Sequence, residues 1–421
     1  MPLPARLAAL FVVGVLAGAV VNWLVDVLAW EQRSVSPWTP RRDGRLRRWG
    51  DYVPVVGWFL LRREAASDGR WFWIRPLGVE LFTGAALAAL YWWETQHAVR
   101  LPPLPFAVAP AADFLTDQLV LAAHVRFAGH ALLVVLMLAA SLIDLDEQTI
   151  PDSITVGGAS LGLVLAAGYP WSLLPEAYWQ HQGVVYEAFL TLASPTAWPA
   201  RLDGLPALGG LGVALFCWTL WCGGLMPRYW NTSRGYPVAA RVFMRHLLRY
   251  PITFLLLVMW LAGSGAIALV AWRGGAAHWA ALVSSLVGLA AGGGIIWAVR
   301  NIGGRVLDKE AMGFGDVTLM AMIGVFLGWQ ACLIVFFVAP FFGLLFAVGS
   351  WVVHRERAIP YGPFLCLGAV TVMLYWPACW DRVRDFFDLW WLVPAMIAGC
   401  LVMLGVLLWL FRLAGQALGH E

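Results

Sequence analysis

The chain has 421 residues, 61% of them hydrophobic and only 13% charged, with a net charge of +3. Its mean hydropathy is +0.73. Soluble domains carry about 25% charged residues, so the composition excludes an ordinary soluble enzyme and makes the lipid bilayer, not nucleic acid, the expected partner of the surface.

About eleven spanning segments are expected from the length of apolar runs, since a crossing needs roughly 20 residues. They start near Leu7, Leu77, Ala128, Ile154, Leu205, Ile252, Ala280, Val317, Ala331, Tyr361 and Leu389. The first run, Leu7 to Leu28, is too long for a signal-peptide core and has a weak basic flank, so it reads as a retained helix. Tryptophans such as Trp30, Trp92, Trp93, Trp329 and Trp376 stand at segment ends, where an amphipathic ring prefers the interface. The fold class is therefore an all-α polytopic membrane protein.

Loop charge gives the sidedness. Arg33, Arg41, Arg42, Arg45, Arg47, Arg48, Arg62, Arg63, Arg70 and Arg75 follow the first helix, and short loops this basic stay in the cytoplasm. The loop from Pro227 to Tyr250, with Arg228, Arg234, Arg241, Arg245 and Arg249, falls on the same side by alternation, as does His354 to Arg357. The stretches Leu101 to Ala112 and Tyr169 to Pro206 then face outward. In this topology Asp144 to Asp152 and Gly313 to Asp316 share the cytoplasmic face.

Two acids stand at the ends of membrane helices. Asp144 follows a mostly apolar run, and an ionisable group at that depth is a functional candidate; the plain alternative is a charge that reaches the headgroups. Asp146 and Glu147 read as solvated loop acids. Asp152 follows Pro151 at the start of a new helix and reads as its N-cap. The second acid is Asp316, in Gly313-Phe314-Gly315-Asp316. The two glycines allow close backbone approach and unusual dihedrals where a helix begins. Two carboxylates at one depth that share a proton can hydrolyse a peptide: one acts as base on water while the other polarises the carbonyl.

Other chemistries lack their residues. There is no H-E-x-x-H, no G-x-S-x-G, no histidine at ligand spacing, and no C-x-x-C among Cys217, Cys222, Cys332, Cys366, Cys379 and Cys400. No metal, no zinc site and no disulfide framework is expected.

With these residues in view, the sequence resembles the type IV prepilin peptidases. Ile143-Asp144, Ile150-Pro151-Asp152 and Thr155 are similar to the family block I-D-x-x-x-x-x-I-P-D-x-x-T. Gly313-Phe314-Gly315-Asp316 with Leu319, Ala321, Gly324, Leu327, Gly328 and Trp329 resembles G-x-G-D-x-K-L-x-A-x-x-G-x-x-L-G-W. Ile359-Pro360-Tyr361-Gly362-Pro363-Phe364 resembles I-P-F-G-P-F. Asp51, Pro54, Trp58, Leu61, Arg62, Arg75-Pro76 and Glu80-Leu81 fit the first loop, and Gly14, Gly18 and Asn22 the first helix. The departures are Thr318 in place of the family lysine, a first loop without the cysteine tetrad of many bacterial members, and Ala19 in place of the usual serine.

The resemblance implies a membrane aspartic endopeptidase of the bacterial cytoplasmic (inner) membrane, with Asp144 and Asp316 as catalytic dyad and Gly313, Gly315 and Asp152 in support. Its substrates would be prepilins or pseudopilins, cut at the cytoplasmic face after a glycine. Proteolysis would need no cofactor. Many members also N-methylate the product with S-adenosylmethionine, and Glu80 and the first loop are where that function is expected. The implied division is 1–95 as the N-terminal region, 126–170 around the first aspartate, 171–279 as an insertion with two extra spans, 280–365 around the second aspartate, and 366–421 as C-terminal helices. Two other readings stay open from the residues. One is a presenilin-type intramembrane protease, although Ile143 rather than tyrosine precedes Asp144 and no P-A-L block follows Asp316. The other is a non-catalytic transporter or assembly scaffold of the same architecture.

Overall fold

The computed structural model describes residues 2–30, 36–38, 47–64, 71–96, 112–179, 185–203, 208–227, 236–308, 312–352, 360–389 and 391–417. Helix α1 (Leu3–Leu28) is followed by the short α2 (Val56–Leu61) and by α3 (Ile74–Gln96). Small residues let α1 and α3 meet backbone to backbone. A Cβ on Gly18 would stand 2.6 Å from the Glu80 Cα, and one on Gly14 2.7 Å from the Gly84 Cα. Such stripes are the usual means of close helix contact where lipid removes the hydrophobic drive. The pairing is antiparallel, with Asn22 beside Pro76 and Arg6 beside Tyr91.

Helix α4 (Ala112–Glu147) and helix α5 (Asp152–Gly168) carry the first block between them. A two-stranded antiparallel hairpin follows, β1 (Pro175–Trp179) with β2 (Val185–Phe189), Pro175 opposite Phe189. Then come α6 (Leu208–Leu225), α7 (Tyr236–Arg249), α8 (Pro251–Arg273), α9 (Ala276–Leu307), α10 (Phe314–Val352), α11 (Gly362–Leu374), α12 (Trp376–Asp388) and α13 (Leu392–Ala417). The hairpin lies outside the all-helical expectation, and α7 occupies part of a stretch expected as loop.

Helix α10 is two antiparallel legs. The Cys332 thiol approaches the Met320 carbonyl at 3.9 Å, whereas twelve residues along a straight helix span about 18 Å. The reversal is made at Gly328, whose φ of +82° is open to glycine at little cost. The first leg is the centre of the molecule: Leu319, Met320, Ala321, Met322 and Ile323 are all fully buried. It lies against α9 where neither Gly288 nor Gly324 has room for a Cβ beside the other's backbone.

Of the expected span starts, Leu205 lies outside the described residues and every other falls in or beside a helix; among the described residues seven helices meet the test of length and apolarity, or eight with the bent pair α11–α12 counted as one. The difference from eleven has three sources. Helix α3 carries Arg75, Glu80 and Glu94; α5 has only 17 residues; and α10 enters that count once although it folds back. The bend between α11 and α12 is 91°. Three of the expected boundaries, at 126, 280 and 366, fall inside the continuous helices α4, α9 and α11.

At the end of the bundle opposite Asp144, indole and amide groups tie the hairpin segment to the helices. Trp329 donates to the Leu192 carbonyl at 3.0 Å and Gln330 to that of Thr191 at 2.7 Å. Trp376 donates to Pro175 and Trp279 to Leu202, both at 2.8 Å. The Leu192 N–H donates to Ser284 Oγ at 2.8 Å. A loop that covers helix ends must have its backbone groups paired, and the tryptophans expected at interfaces supply part of that pairing.

Candidate active site

Asp144 lies one turn before the end of α4 and Asp316 in the first turn of α10. Both are buried, at 4% and 8% exposure, and they stand close enough for their charges to interact. The chain brings them together through the starts of α5 and α11. Ile150, just before α5, packs on Gly315: a Cβ there would lie 2.8 Å from Ile150 Cβ and 3.2 Å from its backbone N. Gly362, at the start of α11, faces Asp144 itself. A Cβ on Gly362 would stand 2.5 Å from Asp144 Oδ2 and 2.9 Å from Ile150 Cδ1. The Gly362 N–H points at the Asp144 carboxylate, while Oδ2 is buried without a hydrogen-bond partner.

Asp316 has a local role beside its place in the pair. Helix α10 begins at Phe314, and the Gly313 N–H lies near the Asp316 carboxylate at this helix start. The two glycines of the block differ. Gly315 has no room for a side chain, whereas around Gly313 the nearest atom to an added Cβ would be 3.7 Å away. Neither has a left-handed backbone, so the expected unusual dihedrals are absent and close approach at Gly315 alone explains its residue type.

The other expected site residues fall elsewhere. Asp152 is exposed at the first position of α5. Pro151 holds the cap position and no side-chain cap bond forms, so the N-cap reading is corrected: the acid sits in the first turn, where it complements the helix dipole. Asp146 belongs to α4 and pairs with Arg75 at 2.7 Å, which brings the start of α3 to the same end as the dyad. Glu80 is 1% exposed. It accepts from Trp58 Nε1 at 2.8 Å, from the Val55 N–H at 2.5 Å and from Asn22 Nδ2 at 3.3 Å. Asp51 is equally enclosed, held by Arg63 at 2.7 and 2.8 Å.

Glu80 thus pins α2 to the α1–α3 pair. Two donors reach its Oε1 and one its Oε2, so the carboxylate is engaged mainly in holding these elements together. The arginines at 33, 41, 42, 45, 70, 228 and 234, the segment 354–357 and Ile359 lie outside the described residues.

Residues without an assigned role in the sequence complete the site. Thr318, at the position of the family lysine, is fully buried; it donates to the Gly315 carbonyl and accepts from Thr155, each at 3.0 Å. These two hydroxyls join α5 to α10 directly behind the glycine block. Tyr361 and Cys366 lie within electrostatic reach of Asp316. The signal for Gly362 was present in the third block, but nothing local shows that its missing side chain makes room for an acid more than 200 residues earlier.

The model of the type IV leader peptidase family matches residues 131–228 and 244–348, two stretches that carry Asp144 and Asp316 and extend from both sides into the segment expected as an insertion. A prepilin leader peptidase/N-methyltransferase of Aeromonas salmonicida (strain A449) is 32% identical over 97 residues, 22% of this chain and 33% of the relative. One of the same description from Escherichia coli (strain K12) is 32% identical over 96 residues, 22% of this chain and 43% of the relative. A longer match joins 38% of this chain to 69% of a type 4 prepilin-like proteins leader peptide-processing enzyme of Escherichia coli O78:H11, at 28% identity over 187 residues. The chain spans about a third of the length of the first curated relatives it matches. No solved structure matches it. On the family blocks and the two matched stretches, the chain is similar to the type IV leader peptidases across both of its aspartate-bearing regions.

Proposed function

We propose that the chain is a membrane aspartic endopeptidase that removes the leader of type IV prepilins or pseudopilins. The observation that carries this reading is the pair of buried carboxylates on different helices, with one Asp144 oxygen unpaired at the meeting point. Like charges at close quarters oppose double ionisation, so such a pair holds one proton. The ionised member takes a proton from water as the water oxygen attacks the scissile carbonyl carbon. The protonated member donates to the carbonyl oxygen. Collapse of the tetrahedral intermediate breaks the C–N bond, and the leaving amine takes up a proton from the pair. The products are a carboxylate on the leader and a free amine on the mature pilin.

The cytoplasmic face is the proposed side. Arginine-rich loops flank the dyad end, and Arg75 from the first of them pairs with Asp146 beside Asp144. The bacterial inner membrane follows from the same reading. The prepilin leader peptidases similar to this chain are also named N-methyltransferases, so methyl transfer forms a second arm of the test.

Co-expression with a type IV pilin precursor, followed by mass measurement of the pilin N-terminus, tests the proposal. Loss of the leader with the wild-type chain, and its retention with an inserted Asp144→Asn protein, is the expected result. An added methyl on the new amine would extend the reading. A precursor left intact by the correctly inserted wild-type chain would refute the peptidase reading.

A further inference from the structure

Two helices of this molecule have strongly two-sided sequences, and they differ in the charges they carry. Helix α12 contains Asp381, Arg382, Arg384, Asp385 and Asp388, with both signs represented. It buries Trp376, Trp380 and Phe387 against the rest of the protein. Helix α7 differs. The segment 227–250 contains five arginines and one histidine and no aspartate or glutamate. At 100° per residue Arg241, Arg245 and Arg249 fall on one stripe, and Tyr236, Ala240, Phe243 and Leu247 fall on the opposite one. The three arginines are exposed, about 6 Å apart along the axis, and no carboxylate among the described residues pairs with them. Val238 and Met244 are exposed as well, at 39% and 58%.

The position of α7 in the chain limits what can cover it. Extended Tyr250 alone separates it from α8, a 23-residue apolar helix that begins at Pro251 and is long enough to cross a bilayer. The helix therefore ends one residue before a span begins. Its first half, up to residue 243, lies in the stretch between the two family matches.

We infer that α7 is an interfacial helix that docks on anionic phospholipid headgroups, with Arg241, Arg245 and Arg249 as the lipid-phosphate contacts. A cation stripe bordered by apolar residues is what an anionic headgroup layer takes up, through charge attraction and burial of the apolar side together. A water-soluble acidic partner would match the stripe but leave the opposite face in water. The inference rests on charge and register, independently of the peptidase reading.

The full-length chain reconstituted in phosphatidylcholine vesicles, with or without phosphatidylglycerol, gives the test, read by amide exchange over 236–249. Exchange is expected to slow on the order of a hundredfold in the anionic vesicles, about fivefold for each arginine near the surface, and to recover in high salt. The R241Q/R245Q/R249Q variant should lose the effect while residues 251–273 remain as protected as in the wild type. The salt titration reads the wild-type chain alone, so a variant that failed to insert would leave the answer intact. Equal exchange in both lipids would overturn the inference. So would protection that survives the triple substitution, that inorganic phosphate reproduces in detergent, or that appears only with a soluble protein.

Discussion

Glu80 and Asp144 are both buried carboxylates at the same end of the bundle, 1% and 4% exposed, yet their surroundings are opposite. Glu80 receives hydrogen bonds from an indole, an amide and a backbone N–H. Asp144 faces a glycine backbone, an isoleucine and a second acid, with one oxygen unpaired. Burial therefore does not distinguish the two acids; the number of donors that reach each carboxylate does. On the proposed function, the acid held by three donors keeps structure together, while the one left incomplete beside another acid keeps its lone pairs for a water and a substrate.

The largest effect that could break this comparison is at the dyad. Asp144→Asn and Asp316→Asn should each lower leader cleavage by at least about a thousandfold, within the range for loss of a general acid or base. Pilin mass spectrometry with immunoblotting for insertion measures it, and near-normal processing by either variant would remove the assignment. Gly362→Ala comes next, because its Cβ would press on Asp144 Oδ2 at 2.5 Å. A misplacement of this kind costs about a hundredfold. Gly313→Ala, where there is room, should stay close to wild type in the same assay, and equal losses at both glycines would contradict the packing account.

A smaller effect is expected behind the glycine block. Thr318→Val leaves the Thr155 hydroxyl without its acceptor in a fully buried site, a loss of about 1–3 kcal/mol. Cleavage should fall several-fold, and Thr318→Ser, which keeps the hydroxyl, should restore it. Restoration by valine as well would show that shape alone matters. Glu80→Gln should cost about 1–3 kcal/mol of stability, read as a lower unfolding temperature in detergent, with turnover at permissive temperature nearly unchanged. Abolished turnover in a folded Glu80→Gln protein would place Glu80 with the chemistry after all. Smallest is Asp152→Asn, at an exposed first-turn position, where cleavage should be retained.

Much of this was legible along the chain. The aspartates announced themselves by standing at the ends of apolar runs, and the separate starts at Val317 and Ala331 anticipated the two legs of α10 before Gly328 was seen to reverse it. Hidden were properties of pairs. That Gly362 yields space to Asp144, that Thr318 meets Thr155, and that Trp58 and Val55 complete Glu80 are contacts between distant residues, with no local period or composition to betray them. Helix α7 escaped for a different reason. Its arginines announce a loop by charge, and the 3.6-residue period beneath them is visible only when the apolar residues are read against that stripe.

The turn at Gly328 carries one more consequence. Asp316 sits about 18 Å from it along one stiff helical leg, and the far end of that leg is moored by Trp329 and Gln330 to carbonyls of the hairpin segment. A helix resists compression along its axis, so the height at which the acid meets its partner is gauged from the opposite surface of the membrane, like a plumb line hung from a fixed beam. Tolerance for sequence change at that surface should then be set by how little the beam shifts, and not by distance from the reacting atoms.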